Sequence, residues 1–327
     1  MAMHGTHVAG LDLPISHVAL GTMTFGDTVD AAMAASLIDA ALDAGITMID
    51  TANVYAGGAS EEILASLLPK RRDSVLLASK AGMPHPDAGE HSPLSEPGLR
   101  RSVSGSLRRL GVERIDLFYL HQPDRATPLE ETMGAVAELV RQGTIGALGV
   151  SNFAAWQISE LNHVADAIGT PRPVVAQQLF NLVARRIEEE YLEFAGTTGL
   201  LTMVYNPLGG GLLTGSHRFA ELPAAGRFGS SKLAEMYKQR YWDPRLFTAI
   251  DSLAKIAAGA GITLIELSLR WLMNRPDVGA ILLGASRLEQ LHSNILAAEK
   301  GPLAADVIAA CDDVGLTLRG PMASYNR

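Results

Sequence analysis

Four side chains in this sequence could do chemistry together: Asp50, Tyr55, Lys80 and His121. Asp50 closes the run Ile46-Thr47-Met48-Ile49. Lys80 closes Val75-Leu76-Leu77-Ala78-Ser79, and His121 closes Ile115-Asp116-Leu117-Phe118-Tyr119-Leu120. Tyr55 sits in the loop just after Asp50. An acid, a phenol, an amine and an imidazole at the ends of buried strands suggest one polar cluster on one rim of a parallel sheet. Such a set can move protons, because an ammonium stabilises a neighbouring phenolate and a carboxylate keeps the ammonium charged. The same lysine could instead form a Schiff base with a carbonyl. Taken singly, each residue is ordinary: a strand-end Asp caps a turn, a loop Tyr packs half-buried, a strand-end His bonds its neighbours. The chemical reading comes from their joint order.

The elements that must position them alternate from end to end. Strands are expected at His17–Leu20, Ile46–Ile49, Val75–Ser79, Ile115–Leu120, Ala147–Val150, Val174–Gln177, Leu201–Tyr205 and Ala280–Leu283. Their continuous apolar character suits strands buried on both faces. Helical periodicity fills the gaps at Ala31–Asp43, Ser60–Leu67, Pro97–Arg109, Leu129–Arg141, Ala154–Ala167, Glu188–Gly196, Thr263–Asn274 and Leu288–Ala297. Further helices are expected at about Asp243–Ala258 and Pro302–Val314. Gly45 and Gly111 follow helices and can adopt the left-handed capping conformation, and Ser60 ahead of Glu61 and Glu62 suits a helix start. Eight strands with intervening helices fit a closed (β/α)8 barrel, an α/β fold, better than an open doubly wound sheet. One domain over residues 1–327 then places the chemistry at the C-terminal rim. Residues 209–241 begin Gly-rich, lack clear periodicity and follow the seventh strand. They should form a long functional loop over that rim.

Composition narrows the class. Of 327 residues, 47% are apolar and 19% charged, as in an ordinary soluble globular protein. A net charge of −8 without a Lys/Arg cluster argues against a nucleic-acid footprint. The single cysteine, Cys311, cannot form an intrachain disulfide, which suits a cytoplasmic location. Met1 to His7 lack an apolar signal core, no long apolar span stands out, and no metal-ligand set is read. Oligomeric state stays open.

The run from Gly45 to Glu61, including Asp50-Thr-Ala-Asn-Val-Tyr55, resembles the aldo-keto reductase family. So do Ala78-Ser79-Lys80, Leu99–Asp116, Leu120-His121-Gln122-Pro123-Asp124 and Gly149-Val150-Ser151-Asn152-Phe153. The likeness extends from about Val18 to Asn294. It implies NADPH-dependent reduction of an aldehyde or ketone, or the reverse oxidation, with NADP(H) favoured and NAD(H) as the second choice. Chemistry agrees: hydride addition leaves charge on the carbonyl oxygen, which needs a proton. A free tyrosine, with a pKa of about 10, is a poor acid unless a cation stabilises its phenolate. Tyr55 is then the general acid, Lys80 lowers its pKa, Asp50 pairs with Lys80, and His121 orients and polarises the carbonyl.

The same resemblance implies the cofactor set. Gly21, Thr22, Met23 and Asp50 would line the cofactor; Ser151, Asn152 and Gln177 would bond the carboxamide, with Gln178 as the neighbouring alternative to Gln177. Tyr205 would stack on the nicotinamide. Asn206, Pro207, Leu208, Gly210 and Leu212 would form the pyrophosphate loop, where glycines admit close phosphate approach. Gly284, Ser286 and Arg287, at a helix start, would take the 2′-phosphate with Arg227, and Gln290 and Asn294 would face the adenine. Ser216 follows Gly215 where many family members carry a lysine. Absence of GxGxxG excludes a Rossmann site. Phe25, Met83, Phe153 and Trp242 are the expected substrate pocket. The family also contains potassium-channel β-subunits, so a cofactor-binding regulatory subunit is the competing expectation; the short segment before the first strand reads against it.

Overall fold

The computed structural model describes residues 5–321. Its strands are β1 (Gly5–Thr6), β2 (Ile15–Ser16), β3 (Val18–Gly21), β4 (Met48–Asp50), β5 (Leu76–Ala81), β6 (Ile115–Leu120), β7 (Ile145–Ser151), β8 (Val175–Leu179), β9 (Leu201–Tyr205) and β10 (Ala280–Leu283). The last eight close into a barrel in the order β10-β3-β4-β5-β6-β7-β8-β9, every pairing parallel. The fold is therefore the expected (β/α)8 barrel. The short β1–β2 hairpin was not anticipated. Its neighbours Val8, Leu11 and Leu13 pack against the interior cluster of Ile15, Met48, Leu76, Leu117, Val175 and Met203. The hairpin thereby closes the N-terminal end of the barrel.

Helices wrap the barrel: α1 (Ala31–Asp43), α2 (Ala59–Leu67), α3 (Glu96–Leu110), α4 (Leu129–Arg141), α5 (Ala155–Ile168), α6 (Tyr191–Thr198), α7 (Ala234–Tyr241), α8 (Pro244–Gly259), α9 (Leu264–Met273), α10 (Leu288–Ala298) and α11 (Ala305–Arg319). Local signals set their ends. Asp30 caps α1 by accepting from Met33 N, Thr263 caps α9 by accepting from Glu266 N, and Gly111 ends α3 in the left-handed conformation. Ser60 behaves otherwise than expected. It is fully buried inside α2, and its hydroxyl bonds Thr22 and Thr51 rather than capping the helix. Residues 209–241 hold more structure than their sequence suggested. A 3-10 segment spans Gly209–Thr214, and α7 buries Ala234, Tyr237 and Tyr241 on one face. Charged Glu235, Lys238 and Arg240 interleave with that short stripe and dilute its periodicity. No single described helix is long and apolar enough to cross a membrane.

Period-two alternation decides which side chains enter the barrel. Met48 and Asp50 share one face of β4; Leu76, Ala78 and Lys80 share one face of β5; Leu117 and Tyr119 lead to His121 on β6. Val175 and Gln177 do the same on β8. The apolar members of each set belong to the interior cluster, so the polar member at the C-terminal end must top that cluster. Gly149 is required by this packing: a Cβ there would lie 2.5 Å from the ring of Tyr119 on the adjacent strand.

Candidate active site

Lys80 is the hub. It is fully buried, and its Nζ donates to Asp50 Oδ1, to the Thr51 carbonyl at 2.9 Å and to Tyr55 OH at 3.1 Å. The other Asp50 oxygen accepts from Gln177 Nε2 at 2.9 Å. Asp50 is also fully buried, so both its oxygens are satisfied where no water reaches them. The Tyr55 and His121 rings meet edge to face with centroids 6.0 Å apart. His121 Nδ1 is buried without a hydrogen-bond partner among the described residues. All four residues singled out by spacing therefore lie in one cluster.

Electrostatics assign their charge states. Burial disfavours the Lys80 ammonium, but Asp50 and Tyr55 together outweigh it and hold the amine above its ordinary pKa. Burial lifts the Asp50 carboxyl, against the opposing pull of Lys80 and the Gln177 hydrogen bond. For Tyr55, burial pushes the phenol above 10.0, and the attraction of Lys80 does not outweigh it. Lys80 pulls this pKa down as expected, but burial outweighs that pull, so the net shift is upward. His121 is depressed to about 3 by burial and by the Lys80 charge, so it is neutral. The site holds one ammonium, one carboxylate, a neutral phenol and a neutral imidazole. It can donate one proton and hold one hydrogen-bond acceptor.

The residues expected to face a carboxamide are organised by bonds of their own. Asn152, at φ +61°, donates to the His121 carbonyl at 2.9 Å and accepts from Tyr205 OH at 2.6 Å. Ser151 Oγ donates to the Gln177 carbonyl at 2.9 Å. Gln177 points into the barrel toward Asp50, whereas Gln178 points outward and donates to the Phe153 carbonyl at 2.7 Å. Strand alternation thus turns Gln177, and not Gln178, toward the Lys80 cluster. Thr22 is fully buried and its hydroxyl is occupied by Asp50 O and Ser60 Oγ; Gly21 pairs with Asp50 in register, and Met23 is half-buried against the core.

On the other side of the rim, Asn206 takes φ +56° and its Oδ1 accepts from Tyr237 OH at 3.0 Å. Pro207 and Leu212 are buried, Leu208 packs partly buried, and Gly209, Gly210 and Gly211 all have positive φ. Arg227 donates to Tyr237 OH at 2.6 Å, and its Nη2 would be 3.8 Å from a Cβ at Gly284. Ser286 bonds Gln290 through N and Oγ at 3.2 and 3.0 Å; Arg287 is exposed at the start of α10, and Asn294 is buried one turn beyond Gln290. Among the described residues, neither Arg227 nor Arg287 has an acidic partner. Arg227 lies beside exposed Gly284, and Ser286 and Arg287 follow that glycine directly in the chain.

The residues expected to line a substrate pocket differ in burial. Phe25 is fully buried within the main apolar cluster, and Phe153 is buried with it. Met83 and Trp242 are half-buried, and Trp242 packs on Phe228, His217 and Phe247. Spacing did not reveal Glu61, Arg109 and Asp87, which form an ion-pair chain behind Tyr55. Glu61 within the quoted motif was the available signal, since an acid buried in a helix demands a partner.

Comparison with known proteins agrees with this geometry. The family model described as Aldo/keto reductase family matches residues 17–315. Aflatoxin B1 aldehyde reductase member 2 of Mus musculus is 36% identical over 308 residues, covering 90% of this chain and 83% of that protein. Aldo-keto reductase family 7 member A3 of Homo sapiens is 38% identical, covering 89% of this chain and 91% of its own length. A probable voltage-gated potassium channel subunit beta of Oryza sativa subsp. japonica is 32% identical over 89% of this chain and 90% of its own length. Likeness of this extent takes in every barrel strand and the whole polar cluster around Lys80, and it makes the chain a member of the aldo/keto reductase family, an NAD(P)H-dependent oxidoreductase acting on carbonyl groups.

Proposed function

We propose that the protein reduces aldehydes or ketones with NADPH, Tyr55 serving as the proton donor. The observation that carries this reading is the contact of Lys80 Nζ with Tyr55 OH at 3.1 Å, backed by buried Asp50. The reduced nicotinamide, when bound, supplies the hydride. A carbonyl oxygen held between Tyr55 and His121 gains negative charge and takes the phenolic proton. Lys80 then stabilises the phenolate left behind, so its charge favours the product of proton transfer although the resting phenol is neutral. Neutral His121 can donate one hydrogen bond to the oxygen without competing as an acid. Ser151, Asn152 and Gln177 would face the carboxamide, with Tyr205 under the ring. Residues 206–212 would hold the pyrophosphate. Arg227, Ser286 and Arg287 would hold a 2′-phosphate, and Gln290 and Asn294 the adenine. Residues 209–241 would act as a strap: Ser231 Oγ reaches Asp27 Oδ2 at 3.1 Å, so the segment crosses from the end of β9 to the loop after β3.

The test is turnover of an aldehyde panel with NADPH and with NADH, followed by loss of nicotinamide absorbance, in wild type and Tyr55→Phe. General acid catalysis contributes about 10²–10⁴-fold, and the variant should lose that much kcat while keeping cofactor affinity. Similarity to a channel subunit supports a second reading, a cofactor-binding regulatory subunit. Tight NADPH binding with no turnover on any substrate would favour it.

A further inference from the structure

The backbone just after Tyr55 makes three left-handed residues in succession: Ala56 at φ +50°, Gly57 at +68° and Gly58 at +101°. An L-residue such as Ala56 adopts this conformation only against steric resistance, and such turns persist where their surroundings hold them. The surroundings here are an ion-pair chain. Gly58 lies so close to the Arg109 side chain that a Cβ would stand 2.9 Å from Arg109 Cδ. Arg109 Nε donates to Glu61 Oε2 at 2.8 Å, and its two terminal nitrogens grip both oxygens of Asp87 at 2.9 and 2.6 Å. Glu61, fully buried, accepts from Ser79 Oγ at 2.6 Å through its other oxygen.

The ion-pair chain joins the turn that carries the proton donor to the strand that carries Lys80. Ser79 precedes Lys80 on β5, its side chain on the opposite face. Gly58 ends the turn that begins at Tyr55. One guanidinium and one carboxylate therefore tie the Tyr55 turn to the back of the Lys80 strand. We infer that Arg109, held by Glu61 and Asp87, is a positioning residue that sets the separation of the Tyr55 phenol from Lys80. The inference rests on Tyr55 being the proton donor. Planar, two-edged contact with both acids is something arginine provides and lysine cannot. A displacement of about 1 Å at a reacting group can cost about 10²-fold in rate, so small slack in the turn should register in kcat.

Arg109→Lys, Asp87→Asn and Ala56→Gly test this, with Tyr55→Phe as control. Each is measured for kcat, for NADPH dissociation constant by fluorescence quenching, and for Tm. Ala56→Gly frees the turn and relieves its left-handed strain without touching the ion pairs. A merely structural role would leave its kcat unchanged and its Tm equal or higher. Expected are a kcat loss of about tenfold or more in Arg109→Lys and a smaller loss in the other two, with NADPH affinity within twofold. Should Arg109→Lys not fold, Ala56→Gly and Asp87→Asn decide. Folded variants with kcat within twofold of wild type, alongside an inactive Tyr55→Phe, overturn the positioning role alone. Full turnover in Tyr55→Phe overturns the proton-donor reading beneath it.

Discussion

The two sides of the barrel rim are built on opposite principles. On the side of β4, β5 and β6, the buried charges among the described residues are paired. Lys80 and Asp50 have no exposed surface, and their hydrogen bonds end on one another, on Tyr55, on Gln177 and on backbone. On the side of β9 and β10, glycines replace side chains, and Arg227 and Arg287 have no acid beside them among the described residues. The first side can impose geometry on a reaction because Lys80 and Asp50 are already held by fixed partners. The second carries guanidiniums that no carboxylate neutralises among the described residues, which would favour an anion. A buried pair is rigid and intolerant of loss, whereas an exposed cation contributes modestly and can be removed without unfolding the chain.

That contrast can be broken most severely at Lys80. Lys80→Met leaves Asp50 buried without its cation, and removal of one member of a buried pair costs about 3–5 kcal/mol of stability. Turnover should fall by about 10²–10⁴-fold as well, since the phenolate loses its stabilising charge. Urea unfolding and aldehyde turnover measure the two losses. Borohydride treatment of wild type with substrate, followed by intact-mass analysis, provides the opposing result: an adduct at Lys80 required for turnover would mean Schiff-base chemistry.

His121 sharpens the same side with a pH dependence. Its folded pKa of about 3 lies below the free value of 6.5. As pH falls below 6.5 the unfolded chain takes up a proton that the fold refuses, so stability present above 6.5 is lost progressively toward 3. Each pH unit in that window corresponds to about 1.4 kcal/mol, or roughly 2 kcal/mol between pH 6.5 and 5. His121→Gln should remove that share of the slope. Unfolding free energies at pH 7 and pH 5 in both proteins test it. Identical slopes would mean that His121 is not held neutral.

The smallest effect belongs to the exposed side. Arg287→Ala should weaken NADPH about tenfold, the loss of one charge-assisted phosphate hydrogen bond, and leave NADH within twofold. Stability should stay unchanged, because Arg287 is exposed and caps nothing with its side chain. Equal weakening of both cofactors would remove the 2′-phosphate from its role.

Much of this was legible in the residues. Continuous apolar runs marked all eight barrel strands, and Asp50, Lys80 and His121 were found at their ends because strand termination is a local event. Helix α4 matches its sequence-derived limits at both ends, since its acidic first turn and basic last turn agree with its amphipathic stripe. Elements that depend on distant partners were missed. The β1–β2 hairpin has two residues in each strand, too few for periodicity, and exists because it covers the barrel floor. Helix α7 hides among charges and exists because Tyr237 and Tyr241 pack against one another and bond Asn206 and Asn181.

The sequence by itself determined the alternation of strands and helices, the barrel that this alternation implies, and which residue types stand at the strand ends. These follow from side-chain period and local backbone preference. Only tertiary structure decided the charge states and the orientation of each group. Burial keeps the Tyr55 phenol protonated against the pull of Lys80, Gln177 turns inward to Asp50 while Gln178 turns out, and Arg109 reaches from α3 to hold a turn 51 residues earlier. Desolvation and long-range pairing depend on what the folded chain places around a group, which no local window of residues contains.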